Sequence, residues 1–545
     1  MSALQARLDR SYAGAEADPE LVEYTVGTLL RERARTHRDV TAVIGYDHAD
    51  NDVRMTYGRL FEEAAKVAAA LTRLTDPGDY VALWAPNLVE WPMIQYGAAL
   101  AGVVLVALNP ALRATELRYA LQHSGAKVLI HAERSRDYDM AAVVSEVAPA
   151  IDGLVSIGLS ETRWRDQEVE SAAPDRTPTD TNLPVMLQYT SGTTGTPKGV
   201  LLRHRSLINV AKLTMEAAGI SHGSITINPL PMFHTAGCVI ATLGPLWIGG
   251  TQCLVSRFEP AGVLDLIRRE SASVVFFVPT ILAALVATQR QRTDPAPPLT
   301  TCLGGAAMVA PDLIDATESV FGAKVITVFG QTELAPVLTA TRPDDAPDDR
   351  MHTVGRPLPN VDCKITDPAT GSIVPVGHEG EICARGYQQM IGYLHDPTAT
   401  AAAIDAEGFV HTGDLGVMDE RGYLKVTGRL KELIIRGGEN IAPYEIEECL
   451  HGHDAVAEAC VFGLPDDRLG EVVAAVIVSH NPPSENLVDV LSGHARDHLM
   501  PHKIPQRWFV ADDLPRTPTG KVRKHALPDL IADCGVREIH HREDA

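Results

Sequence analysis

No run of basic residues occurs anywhere in the 545 positions, and 48 Lys and Arg stand against 70 Asp and Glu, a formal charge of −22. Neutralising phosphate takes clustered cations, so this balance excludes a generic nucleic-acid coat and docking on an anionic membrane surface. Long apolar runs are also missing. The longest, 96–108 and 274–287, are too short to span a bilayer, and Pro279 interrupts the second. The N-terminus reads MSALQARLDRSY, without an apolar signal core. Eight cysteines stand far apart, the closest pair being Cys449 and Cys460. With no C-x-x-C pair, disulfide framework or zinc-ligand spacing, these thiols read as reduced and mostly buried in a cytoplasmic protein. Neither a G-x-G-x-x-G fingerprint nor a Walker A loop is present.

What remains is an ordinary globular mix, 45% hydrophobic and 22% charged, long enough for several domains and for a large core. Leu60, Ala64, Val67, Leu71 and Leu74 recur at helical spacing. A strand-like run at 80–84 follows, then a helical stretch at 88–101, a strand at 103–108, a helix around 116–123 and a strand at 127–130. Such alternation predicts crossover units on a largely parallel sheet. Segments 171–184, 292–300 and 342–349, rich in Pro and acidic residues, are expected to be exposed linkers. Beyond about Thr427 the pattern changes to a smaller α+β stretch with a polar tail from 537.

The sharpest local signal is Tyr189-Thr190-Ser191-Gly192-Thr193-Thr194-Gly195-Thr196-Pro197-Lys198-Gly199-Val200, after a strand-like run at 185–189. Five Ser/Thr hydroxyls, three glycines and a lysine in eleven residues suit a polyphosphate. Glycines let backbone N–H groups approach, hydroxyls donate, and lysine adds a point charge. A Ser/Thr/Gly-rich surface loop has the same composition, so the segment alone implies phosphate binding and nothing finer.

This loop resembles the signature of the adenylate-forming superfamily of acyl-CoA synthetases, peptide-synthetase adenylation domains and beetle luciferases. The family's other motifs follow in order: Phe233-His234-Thr235-Ala236-Gly237, Gly304-Gly305-Ala306, Phe329-Gly330-Gln331-Thr332-Glu333, Thr412-Gly413-Asp414, Gly428-Arg429-Leu430-Lys431-Glu432 and Pro515-Arg516-Thr517-Pro518-Thr519-Gly520-Lys521. The resemblance covers most of the chain from Tyr189 onward. It implies a large α/β N-terminal domain, 1–429, bearing the ATP and acid sites, and a mobile α+β cap, 430–545, hinged near Lys431.

The resemblance also implies roles for single residues. Thr190, Ser191, Gly192, Thr193, Thr194, Gly195 and Lys198 would hold the ATP phosphates. Glu333, with Thr190, would bind Mg²⁺, for which a carboxylate is a suitably hard ligand. Gly304, Gly305 and Ala306, with Phe329, Gly330, Gln331 and Thr332, would flank adenine, while Asp414 and Arg429 would reach the ribose and phosphates. Lys521 would reach the reacting carboxylate and α-phosphate, and Lys431 would mark the hinge. Arg436, Gly437, Gly438 and Glu439 would guide the thiol of coenzyme A. Many relatives carry a tyrosine where this chain has Ala442. Phe233, His234, Gly237, Cys238, Val278, Gly304, Gln331 and Val337 would line the acid pocket, with His234 between pocket and thiol channel.

The residue after Phe233 is histidine rather than the aspartate of amino-acid-activating relatives, so an α-amino acid is disfavoured. Small and apolar pocket positions suit a medium-chain alkyl or aromatic acid. The expected reaction is attack of the carboxylate on Mg·ATP to give acyl-adenylate and pyrophosphate, then thioester formation with coenzyme A. The expected enzyme is cytoplasmic, a monomer or homodimer, without a nucleic-acid partner or membrane span. Two alternatives share the same motifs. One is an adenylating enzyme for another acceptor or oxyacid, such as a carrier-protein loader or a diazotase activating nitrous acid toward an arylamine. The other is a non-catalytic nucleotide-binding module.

Overall fold

A computed structural model describes residues 7–161, 175–190, 197–305, 307, 309–436, 439–466, 468–484, 486–516, 522–532 and 536–539. The chain divides into two compact units, one formed by Ala13–Cys363 with Ala384–Val410, the other by Met1–Tyr12, Lys364–Cys383 and His411–Ala545.

Two sheets build the first unit. In one, the strands Pro184–Thr190, Val104–Leu108, Tyr80–Trp84, Val128–His131 and Val155–Gly158 lie parallel in that order. Lys198–Arg203 and Gly392–Tyr393 extend it by antiparallel pairing beyond Pro184–Thr190. All five residues of Val104–Leu108 are buried, as an unbroken aliphatic run must be when helices cover both faces of a parallel sheet. The second sheet has a parallel centre, Lys324–Phe329, Thr301–Gly305, Val274–Phe277, Ile225–Asn228, Thr251–Leu254 and Thr41–Tyr46. Short antiparallel strands close both of its edges.

The helix Tyr57–Leu74 buries Leu60, Ala64, Val67 and Leu71, while Leu74 lies 40% exposed at its end. Each such leucine contributes roughly 1.5–3 kcal/mol of burial. The neighbouring helix spans Glu90–Ala101 and ends on Gly102, whose left-handed φ of 72° suits a residue without Cβ. The periodic stripe from Leu60 to Leu74 lies within the first helix, and the helical stretch expected at 88–101 matches the second to within two residues.

Two of the expected linkers are structured. Residues 175–183 form a strap. Thr25 Oγ1 donates to the Pro178 carbonyl (3.0 Å), Arg176 to the Thr75 carbonyl (2.7 Å), and buried Thr181 to Glu23 (2.6 Å). In 342–349, Asp345 and Asp349 are buried and the helix Pro347–His352 begins. Its Arg350 donates to the Asp345 carbonyl (2.6 Å) and pairs with Glu318 (3.2 Å). Composition signalled exposure at these places, and most of their residues are exposed or half-buried, but polar partners hold Thr181, Asp345 and Asp349 in buried positions.

In the other unit, a sheet carries Gly380–Gly386, Val410–Met418 and Leu424–Arg429 as successive neighbours. A second sheet centres on Gly470–Ser479, with Val456–Asp466 antiparallel and Arg507–Val510 parallel to it. The helices Pro443–His451 and Leu487–His498 accompany it, and Ile446, Leu450, Val488 and Leu491 share its core with Val473, Ala475 and Ile477.

Candidate active site

In the first unit, three adjacent parallel strands end side by side, Phe277 opposite Gly304 and Gly305 opposite Val328. Val278, Gly304, Gly305, Phe329, Gly330, Gln331, Thr332 and Glu333 therefore gather at one sheet end. The next strand, Ile225–Asn228, leads into the segment of Phe233 and His234. Ligands of open α/β sheets bind beyond the carboxyl ends of the strands, and these residues occupy that position. A Cβ at Gly304 would lie 2.1 Å from the Phe277 carbonyl oxygen, and one at Gly330 2.1 Å from that of Pro336. Glycine is required there because the backbone itself is in contact.

Phe233 is buried against half-buried His234, with ring centroids 4.3 Å apart and planes at 43°. Gly237 and Cys238 begin an irregular helical turn, Ala236–Ile240. The Cys238 thiol is fully buried and faces inward, accepting from Gln188 Nε2 at 3.3 Å, and burial pushes it up to about 12. Val337 is also buried, while Val278 and Gln331 are half-buried.

Around Glu333, predicted residues meet through one that was not predicted. Thr190, at the end of its strand, pairs with Lys198 in the neighbouring antiparallel strand. The Lys198 ammonium lies 4.7 Å from the centre of the Tyr393 ring. The Tyr393 hydroxyl donates to Glu333 Oε1 at 2.9 Å. Burial and the Glu333 carboxylate raise the Tyr393 hydroxyl well above the usual phenol range, so it stays a neutral donor. The Glu333 carbonyl accepts from Met390 N–H (2.9 Å), fixing the turn that carries it. Sequence gave no signal for Tyr393, because only the pairing of Gly392–Tyr393 with Lys198–Arg203 brings it to a carboxylate 60 positions away.

In the other unit, Asp414 and Arg429 pair directly across antiparallel strands. Arg429 Nε donates to Asp414 Oδ1 at 2.6 Å, with the Asp414 side chain 3% and that of Arg429 49% exposed. Around this pair lies a buried polar frame that sequence reasoning missed. Gly413 N–H donates to Glu381 Oε1 (3.0 Å), and His411 Nδ1 lies 2.7 Å from Glu381 Oε2 and 3.5 Å from Cys383 Sγ. The Cys383 and Glu381 interactions hold the His411 imidazole charged, up to about 10, against the opposing effect of burial. Lys431 is exposed on the single turn Leu430–Glu432, and half-buried Arg436 pairs opposite exposed Glu439. Ala442 caps the helix Pro443–His451. Ser191, Gly192, Thr193, Thr194, Gly195, Ala306, Gly437, Gly438 and Lys521 lie outside the described residues.

The donors present suit the cofactors. Glu333 and Thr190 offer oxygen atoms of the kind Mg²⁺ prefers, with Tyr393 occupying only one carboxylate oxygen. Lys198 in the first unit and Arg429 in the other are cations of the kind that phosphates attract, and Asp414 is a carboxylate of the kind that hydroxyl groups donate to.

Residues 30–394 match the model of the AMP-binding enzyme family, and 445–521 that of the AMP-binding enzyme C-terminal domain. The chain belongs to the AMP-binding enzyme family. It is an AMP-forming acid–thiol ligase, using ATP, Mg²⁺ and coenzyme A to convert an acid to its adenylate and then to a thioester. YngI of Bacillus subtilis, which bears the name of an acyl-CoA synthetase, is 36% identical over 93% of this chain and 97% of its own. The human mitochondrial medium-chain acyl-CoA ligase ACSF2 is 30% identical over 96% of this chain and 90% of its own. Among solved structures, the anthranilate CoA ligase AuaEII with anthranoyl-AMP superposes with a TM-score of 0.83 at 25% identity, covering 95% of this chain and 100% of that one. The helices of the described residues include none long and apolar enough to cross a membrane.

Proposed function

We propose that this ligase activates a medium-chain alkyl or aromatic carboxylic acid in the cytoplasm, as a monomer or homodimer and without a nucleic-acid partner. The observation that carries the reading is the gathering of Phe233, Val278, Gly304 and Gln331 at one sheet end, beside the Glu333 turn. Small and apolar side chains there accept an alkyl chain or a ring, and His234 rather than an aspartate follows Phe233. The relatives named for a medium-chain acid and for anthranilate support the same range.

In this reading Thr190 and Lys198 bind the phosphates, with Ser191, Gly192, Thr193, Thr194 and Gly195 between them in sequence. Glu333, oriented by Tyr393, holds Mg²⁺, whose chemistry is to neutralise charge on the phosphates. Asp414 accepts the ribose hydroxyls, and Arg429 keeps that carboxylate in place while offering its exposed guanidinium to phosphate. Ala306 completes the adenine face. Lys521 places a cation on the reacting carboxylate and the α-phosphate, where charge develops. Lys431 then serves as the hinge, and Arg436, Gly437, Gly438 and Glu439 guide the thiol.

The test is pyrophosphate release with Mg·ATP across alkyl acids of graded length, benzoates, cinnamates and nitrite with arylamines, each with and without coenzyme A. Release on medium-chain or aromatic acids, with a thioester found by mass spectrometry, supports the assignment. Release confined to short or amino acids, or to nitrite, overturns it.

A further inference from the structure

The cysteines show no zinc-ligand spacing, yet the C-terminal fold brings one of them to a pair of histidines distant in the chain. Cys449 lies on the helix Pro443–His451, while His494 and His498 lie on the helix Leu487–His498. The histidines are four residues apart, which puts both on one helical face. The Cys449 sulfur and one ring nitrogen from each histidine all fall within 4.8 Å of one another. Bond lengths of about 2.0–2.3 Å put tetrahedral ligand atoms roughly 3.3–3.8 Å apart, so small side-chain rotations close the difference.

The hydrogen bonds around the cluster sharpen its chemistry. His494 Nε2 lies 2.9 Å from the Cys449 carbonyl oxygen, and His498 Nδ1 lies 2.8 Å from the His494 carbonyl oxygen. A carbonyl only accepts, so each of these nitrogens carries the proton. The other nitrogen of each ring is then the one with a lone pair. A ring N–H donated to a backbone carbonyl is the usual support of a metal-bound histidine, fixing tautomer and orientation. The His494 and His498 rings lie 4.5 Å apart. His453, with its ring 5.3 Å from that of His494, accepts from Ala455 N–H through Nδ1 and so is not poised as a ligand.

We infer that Cys449, His494 and His498 form a binding site for a borderline-soft divalent metal ion, Zn²⁺ foremost, that ties the helix Pro443–His451 to the helix Leu487–His498. Two imidazoles and a thiolate suit Zn²⁺ and Co²⁺ and not Mg²⁺, so the site is chemically separate from the oxygen donors around Glu333. The fourth position falls to water. On binding, the thiol proton passes to solvent as the S–metal bond forms. Cys449 is half-buried and His498 exposed, so the ion has an entry path from solvent.

The test uses the full chain with any affinity tag removed, stripped with a chelator and titrated with Co²⁺. Expected are one equivalent bound, a thiolate-to-cobalt charge-transfer band, visible d–d bands of tetrahedral strength, and displacement of all three signals by Zn²⁺. Cys449→Ser abolishes the charge-transfer band, and His498→Gln weakens Co²⁺ binding by more than the about 10–100-fold that loss of an outer-shell partner costs. Both variants keep wild-type pyrophosphate release, which reports an intact fold. Cys383→Ser leaves the bands in place, separating this site from the Glu381–Cys383–His411 group, the other such cluster among the described residues. Absence of a charge-transfer band, its survival in Cys449→Ser, or its loss in Cys383→Ser overturns the assignment.

Discussion

At the scale of single residues, Tyr393 has the clearest consequence. Its hydroxyl holds one Glu333 oxygen at 2.9 Å, and carboxylates that ligate metals depend on such partners. Tyr393→Phe is expected to raise the Mg²⁺ concentration needed for half-maximal pyrophosphate release by about 10–100-fold, with little change at saturating Mg²⁺. An unchanged Mg²⁺ curve would remove the positioning role. Lys521→Ala is expected to cut pyrophosphate release by on the order of 10²–10³, yet still convert a supplied acyl-adenylate to thioester. Single-turnover assays of each half-reaction check both parts. His411 behaves as a stability switch. Its folded value of about 10 lies above the ordinary 6.5. The charged imidazole therefore contributes stability that is fully present below about pH 6.5 and is lost as pH rises through about 10. His411→Gln is expected to flatten the stability–pH curve across that window, read as denaturant midpoints.

At the scale of elements, packing reverses local preference. Gly97 sits inside the helix Glu90–Ala101, where helix propensity alone favours alanine by about 1 kcal/mol. A Cβ there would lie 2.4 Å from Val67 Cγ1 and 2.9 Å from the Ala64 carbonyl oxygen, both on the helix Tyr57–Leu74. Gly97→Ala is expected to destabilise the protein by about 1–3 kcal/mol, with partial recovery in Gly97→Ala/Val67→Ala. Unfolding curves of the four proteins of that cycle decide it. The same contest explains what the sequence hid. The helical spacing of Leu60, Ala64, Val67 and Leu71 is legible because a buried stripe imposes a period. The strap at 175–183 and the helix Pro347–His352 are not, because single hydrogen bonds to Glu23, Thr75 and Glu318 hold them and leave no period behind.

At the scale of the whole molecule, two compact units each carry part of the motif set. Thr190, Lys198, Phe233, His234 and Glu333 lie in one, and Asp414, Arg429, Lys431 and Arg436 in the other. If Lys431 marks a hinge serving two half-reactions, fixing its φ separates them. Lys431→Pro is expected to retain pyrophosphate release in the absence of coenzyme A while thioester formation falls by tenfold or more, since proline locks φ near −65°. Equal loss in both half-reactions would point to misfolding instead, and no loss in either would remove the hinge.

By itself the sequence determined the family, the order of the motifs, the alternating α/β architecture and the acidic character and scattered cysteines that exclude other classes. Those properties are local or additive, carried by spacing, composition and contiguous segments. Only the tertiary structure decided that Tyr393 reaches Glu333, that Glu381 and Cys383 flank His411, and that Cys449 meets two histidines on another helix. Each of these depends on strand register or helix packing between residues distant in the chain, for which one sequence holds no periodic trace.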